Sequence, residues 1–254
     1  MSKLQGKIAV VTGASRGIGR GIALRLAQEG ALVAIHYGKR QAAAKEVVHQ
    51  IEQTGGSAFA IGADLSTLNG IKDLYATLDE ILQERTGHNR FDILVNNAGI
   101  GQIVTLEETT EQSFTEVMNM NVKAPLFVTQ QALPRLNDGG RVINISSFVT
   151  RVASPSVFAY SMSKGAIDTF TQVLAKQLGS RNITVNAIQP GIINTEMNEG
   201  TLKDPNGQKF AAGLSTFKRW GEPEDVADIA AFLASPDSRW VTGQWIDASG
   251  GSHL

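Results

Sequence analysis

A doubly wound α/β domain, with seven parallel strands in one sheet and helices on both faces, is the fold class this sequence predicts. Three observations predict it. Short β-branched runs recur along the chain and alternate with helical periodicities. Most of these runs are continuously apolar, as strands buried on both faces are. A glycine-rich turn closes the first run, and a helical pattern follows it. No Pro/Ser-rich linker or internal repeat divides the 254 residues, so a single domain over 1–254 is expected.

The first strand is read at Ile8–Thr12. It runs into Thr12-Gly13-Ala14-Ser15-Arg16-Gly17-Ile18-Gly19, and Ile22, Leu26 and Ala27 mark the next helix. Glycines there let the backbone turn tightly and approach an anion, while the helix start offers free N–H groups and a positive dipole end. On the first strand–helix turn of an alternating chain, this is a pyrophosphate cradle built from Gly13, Ser15, Arg16, Gly17, Ile18 and Gly19. The same stretch matches G-x-S-x-G, the nucleophile elbow of hydrolases, with Ser15 as nucleophile. That second reading needs a catalytic histidine. The four available, His36, His49, His88 and His253, each read as surface residues.

The second strand, Leu32–Ile35, continues into His36-Tyr37-Gly38-Lys39-Arg40. A carboxylate at this strand end would bind the ribose 2′-hydroxyl of NAD. None occurs until Glu46. Lys39, Arg40 and the loop's Arg16 would instead attract a 2′-phosphate, so NADP(H) is expected over NAD(H), with Tyr37 beside it. The other reading makes Lys39 and Arg40 solvated helix-start residues.

The third strand is Ala58–Ile61, followed by Asp64-Leu65 and a helix marked by Leu74, Leu78, Ile81 and Leu82. The fourth, Ile93–Val95, leads into Asn96-Asn97-Ala98-Gly99. Phe114, Val117, Met118 and Val122 mark the helix beyond it. The fifth, Val142–Ile145, ends at Ser146-Ser147, where residues at strand carboxyl ends line the ligand crevice. Met162, Ala166, Phe170, Val173, Leu174 and Leu178 mark the following helix. Tyr160 and Lys164 open that helix four residues apart, on one face. A nearby ammonium favours the phenolate, lowering the tyrosine pKa and making Tyr160 a usable acid or base. The sixth strand, Ile183–Ile188, precedes Pro190-Gly191. Glu196–Arg219, with Gly200, Pro205, Gly207 and Gly213, reads as a mobile lid or a pair of short helices, a substrate lid at about 195–219. The seventh strand is Gln244–Asp247.

Taken together, the glycine turn, Asp64-Leu65, Asn96-Asn97-Ala98-Gly99, Asn121-Val122, Ile145-Ser146-Ser147, Tyr160-Ser161-Met162-Ser163-Lys164 and Pro190-Gly191 resemble the short-chain dehydrogenase/reductase family in its compact single-domain form. The match runs from about Lys7 to Gly251, with thirteen residues from Ser147 to Tyr160. The resemblance implies a Rossmann-type sheet and reversible reduction of a ketone or aldehyde by a nicotinamide. It implies that Tyr160 protonates the carbonyl oxygen, that Ser147 hydrogen-bonds it, and that Lys164 tunes the tyrosine and holds the nicotinamide ribose. Asn121 is expected to anchor a water linking Lys164 to solvent. Asp64 and Leu65 are expected at the adenine, and Asn97, Ala98 and Gly99 along the cofactor cleft. Pro190, Gly191, Ile193 and Thr195 are expected at the nicotinamide end. Family members are commonly homotetramers, and the apolar faces of Phe114–Val128 and Met162–Leu178 suit either a subunit contact or core packing.

The substrate is less defined. Ile100, Gln102, Phe148, Val149, Ser154, Val157, Phe158, Ile192 and Met197 are mostly apolar, which suits a hydrophobic or aryl ketone. The pattern is similar both to 3-oxoacyl-carrier-protein reductases and to ketoreductases acting on free ketones. An NADH-preferring alcohol dehydrogenase of the same family, a Ser15 hydrolase and a cofactor-sensing binding protein are the alternatives.

Composition bounds these readings. A net charge of −1 provides no broad basic field for nucleic acid. No cysteine is present, which excludes disulfides, thiolate metal sites and a thiol nucleophile, and no metal is expected. The start runs directly into a strand without an apolar signal core, and no apolar stretch is long enough for a bilayer, so a cytoplasmic protein is expected.

Overall fold

In the computed structural model, which describes residues 2–252, the strands are Ile8–Val11 (β1), Leu32–Tyr37 (β2), Ser57–Gly62 (β3), Phe91–Asn96 (β4), Leu136–Ile145 (β5), Thr184–Pro190 (β6) and Trp245–Ala248 (β7). They form one sheet in the order β3-β2-β1-β4-β5-β6-β7. Every pairing is parallel. The order reverses at β1, whose Val11 lies between Ile35 of β2 and Val95 of β4. This switch point opens a crevice beyond the strand carboxyl ends.

Helices cover both faces. They are Gly17–Gln28 (α1), Gln41–Gln53 (α2), Leu68–Thr86 (α3), Glu111–Met118 (α4), Ala124–Ala132 (α5), Phe158–Leu178 (α6), Glu199–Lys203 (α7), Pro205–Leu214 (α8) and Pro223–Ala234 (α9). Strand side chains alternate between two cores. Ala9, Val11, Val33, Ile35, Ile93 and Val95 pack with Ile22 and Leu26 of α1 and Val226 and Ala230 of α9. Val10, Ala34, Leu94 and Val142 pack with Leu74 and Leu78 of α3, Val128 of α5 and Leu174 of α6. β1, β4 and β6 are buried along their whole length, as strands covered by helices on both faces are, even where β4 and β6 carry polar residues. The edge strand β7 is not: Trp245 and Asp247 are exposed.

Two departures from the expected elements have local causes, and a third stretch resolves an open alternative. β5 begins at Leu136, six residues before the apolar run, because Asp138-Gly139-Gly140 forms an irregularity between the pairs Phe91–Leu136 and Ile93–Arg141. The helical stretch after Phe114 passes through a π-helical turn, Asn119–Lys123, before α5 starts with Pro125 in its first turn. The 196–219 region folds as a 3₁₀ turn, Glu196–Asn198, then α7 and α8, so it is the pair of short helices.

Candidate active site

Two strand ends are tied together at the switch point. The Thr12 hydroxyl accepts the Asn97 and Ala98 N–H groups at 2.9 and 3.0 Å. The Asn97 side-chain amide returns to the Thr12 and Gly13 carbonyls at 2.9 and 3.0 Å. The loop then needs glycine on steric grounds. Gly13 has φ +63°, and a Cβ there would stand 2.9 Å from Ala98 Cα. A Cβ on Gly19 would stand 2.4 Å from the Asn97 amide nitrogen and 2.5 Å from the Gly13 oxygen. No described side chain caps α1, so its leading N–H groups are left to the loop. A backbone cradle that side chains would fill, ahead of an uncapped helix, fits a pyrophosphate.

His36 corrects the expectation of a surface residue. It is buried inside β2, because that strand runs two residues past the apolar stretch. Its Nδ1 accepts the Gly13 N–H at 3.0 Å, and its Nε2 donates to the Ala63 carbonyl at 3.1 Å. The tautomer follows from these partners. Burial lowers its pKa to about 4, so the ring is neutral and helps shape the cradle. Both nitrogens are committed to backbone, which removes the base a Ser15 hydrolase would need. His49 bonds Gln53, and His88 lies against Thr86 and Arg90, both at exposed positions. His253 lies outside the described residues.

Beyond β2 the structure brings Arg16 and Arg40 together, but on a carboxylate the sequence reading did not include. Tyr37 closes the strand with its ring against Gly62, where a Cβ would stand 2.8 Å from the ring. Arg16 and Arg40 converge on one carboxylate, Glu196: Arg40 Nη1 lies 2.8 Å from Oε2, and Arg16 pairs with the same oxygen. Two guanidiniums thus hold one anion at the position where a 2′-phosphate is expected. Lys39 stands next to them, exposed. Asp64 accepts from the Ser66 N–H and hydroxyl at 3.0 and 2.7 Å, which holds its carboxyl below the usual range, and Leu65 is buried beside it. Thr195 reaches the glycine loop: a Cβ on Gly17 would lie 3.1 Å from Thr195 Cγ2. Pro190 ends β6, Gly191 packs against Ser249, and buried Ile193 bridges to Gly221.

The residues expected to handle protons, Ser147, Tyr160 and Lys164, meet at the end of β5. Ser147 is buried and caps the 3₁₀ turn Phe148–Thr150, accepting the Val149 N–H at 3.4 Å. A buried polar ladder aligns α6 with this strand end: Asn96 donates to Asn144 at 2.9 Å, and Asn144 donates to Thr171 of α6 at 2.9 Å. Lys164 is buried, and its ammonium donates to the Ile145 carbonyl at 2.8 Å while lying 5.5 Å from the centroid of the Tyr160 ring. Burial lowers the Lys164 pKa to about 8, opposed by the carboxylate of Asp168 one turn on. Tyr160 is half-buried. Burial pushes the phenol up, and the nearby Ser147 hydroxyl opposes that. The protein alone therefore holds Tyr160 as a neutral phenol, not the lowered one the Tyr/Lys spacing predicts.

Asn121 sits in the π-helical turn, fully buried. Its amide accepts the Ile100 N–H at 2.9 Å and donates to the Ile100 carbonyl at 2.9 Å and the Ser163 hydroxyl at 3.1 Å. It fastens the 99–101 segment to α6. That segment, the Val104–Val157 bridge and Met197 form one rim, where a Cβ on Gly101 would lie 3.1 Å from the Met197 sulfur. Asp168 and Gln189 are site neighbours that motif reading missed: Gln189 donates to Asp168 at 2.9 Å and to Thr150 at 2.8 Å, behind Lys164. A separate cavity of about 330 Å³, lined by Phe217, Trp220 and Ile229 among others, touches neither Ser147 nor Tyr160. Among the described residues, no cluster of metal-ligating side chains occurs, and no helix is long and apolar enough to cross a membrane.

This geometry has close counterparts among known proteins. A family profile described as enoyl-(acyl carrier protein) reductase matches residues 13–253. An uncharacterized oxidoreductase of Methylorubrum extorquens is 44% identical, covering 99% of each chain. The hydroxynaphthalene reductase arp2 of Aspergillus fumigatus is 41% identical over 95% of this chain and 90% of its own. The crystal structure of the angucycline C-6 ketoreductase LanV with bound NADP is 48% identical, with a TM-score of 0.95 over 98% of this chain and 96% of that one. The reductase LugOII, which catalyses keto-reduction at C1 during lugdunomycin biosynthesis, is 47% identical, with a TM-score of 0.96 over 100% of both chains. With this agreement along its whole length, the chain belongs to the short-chain dehydrogenase/reductase family and is an NAD(P)-dependent oxidoreductase acting on CH–OH groups and ketones.

Proposed function

We propose that this protein reduces the ketone of a polycyclic or aryl substrate with NADPH, using Tyr160 as proton donor. The observation that carries this reading is the cluster of Ser147, Tyr160 and Lys164 at the end of β5, beside a backbone cradle fitted to a dinucleotide. A reduced nicotinamide supplies hydride when bound. Ser147 donates a hydrogen bond to the carbonyl oxygen, and Tyr160 transfers its phenolic proton to that oxygen. A raised phenol pKa keeps Tyr160 protonated at neutral pH, the form that reduction consumes. The Lys164 ammonium then stabilises the phenolate left behind.

Arg16 and Arg40, converging beyond a β2 whose own sequence ends without a carboxylate, support NADPH over NADH, although in this structure both are paired with Glu196. NADP is also bound in the LanV structure and in a short-chain dehydrogenase from Burkholderia cenocepacia. The aromatic ketone class draws on the apolar residues Ile100, Phe148, Val149, Val157, Phe158 and Met197 expected about the site, and on the names of LanV, LugOII and arp2. The 3-oxoacyl thioester is the second reading; the family profile's description names an acyl carrier protein, though with an enoyl rather than a 3-oxo group. Relative kcat/KM for an aryl ketone and a 3-oxoacyl thioester, followed at 340 nm, decides between them. A preference for the thioester overturns the aryl reading. Tyr160→Phe should lower kcat by a factor on the order of 10² or more and leave nucleotide affinity within about twofold. A fully active variant refutes the proton-donor role.

A further inference from the structure

Glu196 opens the 3₁₀ turn at the base of the 196–214 region, 180 residues from Arg16 and 156 from Arg40. Its carboxylate is held on both oxygens. Arg40 lies 2.9 Å from Oε1 and 2.8 Å from Oε2, and Arg16 pairs with Oε2. A planar anion bridging two guanidiniums offers them the acceptor geometry a phosphate offers. The same turn is tied elsewhere. The Asn198 amide donates to the Ile193 carbonyl at 2.9 Å, and Met197 lies on Gly101. The residues that hold the arginines therefore adjoin those that shape the substrate rim.

We propose that Glu196 is an internal stand-in for the 2′-phosphate and a determinant of cofactor selection. A nucleotide bearing a 2′-phosphate must displace the carboxylate from Arg16 and Arg40, whereas one lacking it leaves the clasp closed. Displacement also frees the first turn of the 196–214 region, so the choice of cofactor sets how firmly 196–203 is held. Affinity for the 2′-phosphate is weaker than the two arginines alone would provide, by the strength of the ion pairs broken. This proposal rests on the NADPH reading above.

Calorimetric titration with adenosine 2′,5′-bisphosphate and with AMP tests it without turnover. Wild type should prefer the bisphosphate. Glu196→Gln should tighten the bisphosphate about three- to tenfold, the range set by exposed ion pairs, and leave AMP within about twofold. Amide exchange provides the second readout. The bisphosphate should speed exchange over 196–203 in wild type, and Glu196→Gln should exchange fast there without nucleotide. If wild type prefers the bisphosphate but Glu196→Gln binds it no tighter, the role of Glu196 is refuted and the NADPH reading stands. If wild type binds both nucleotides equally and Arg40→Ala changes neither, the NADPH reading fails, and the role of Glu196 with it.

Discussion

Lowering the pH from neutrality forces a proton onto His36, and the structure defines what that disrupts. The protonated ring carries two donors. Its Nδ1 can then no longer accept the Gly13 N–H that holds the cradle in place. Burial depresses the folded-state pKa from 6.5 to about 4. The unfolded chain thus binds this proton more strongly, and stability rises with pH wherever that holds. The contribution is fully present above 6.5, falls as the pH drops through 6.5, and is gone near pH 4. At about 1.4 kcal/mol per pH unit of pKa difference, the loss is about 3 kcal/mol, with no discount for solvent because the ring is buried. Urea midpoints measured at successive pH values, at constant m, read this directly. His36→Asn keeps an acceptor within reach of Gly13 but does not titrate. Its midpoint should stay nearly level over the upper part of that window, where carboxylates contribute little, while wild type falls. Superimposable curves for the two proteins would refute the assignment. His36→Leu, which orphans the Gly13 N–H, should cost about 1–3 kcal/mol at neutral pH.

Other outcomes follow from single contacts. Asp168 raises the Lys164 pKa against burial, so Asp168→Asn should move the alkaline limb of kcat/KM to lower pH; an unmoved or raised limb refutes the coupling. Gly19→Ala drives a methyl into Asn97 and the Gly13 carbonyl, and should cost about 1–3 kcal/mol in a denaturant melt and weaken dinucleotide binding; a neutral variant refutes the packing argument. Met162 and Val173 are exposed on one face of α6, which we propose as a subunit contact of a homotetramer. Sedimentation should show Met162→Glu with Val173→Glu dissociating the assembly, and a monomeric wild type refutes it.

How far the sequence revealed the site depends on whether a residue works through its neighbours in the chain or across space. The glycine loop, Asn97, Ser147 and the Tyr160/Lys164 pair were legible because each lies in a short contiguous motif at the end of a predicted strand. Glu196 was not, since nothing local to it indicates arginines 180 and 156 residues away. His36 was nearer to legible. Val11 pairs with Ile35, so a β2 extended by one residue carries His36 alongside the glycine loop. What hid it was the assumption that the strand stopped with its apolar run. The most instructive case is α6. Its apolar period marks Met162, Ala166, Phe170, Val173, Leu174 and Leu178; Leu174 and Leu178 are buried but Met162 and Val173 are exposed, and the inward face also carries Ser163, Lys164, Asp168 and Thr171. Hydrophobic period identifies a helix and a stripe, but which stripe is buried depends on where the polar groups find partners. Here the partners are the Ile145 carbonyl for Lys164, Gln189 for Asp168, Asn121 for Ser163 and Asn144 for Thr171. The inward face of this helix mixes those polar residues with Ile167, Leu174 and Leu178, while Met162 and Val173 are left exposed on the other. That is why the proposed subunit contact is placed on Met162 and Val173.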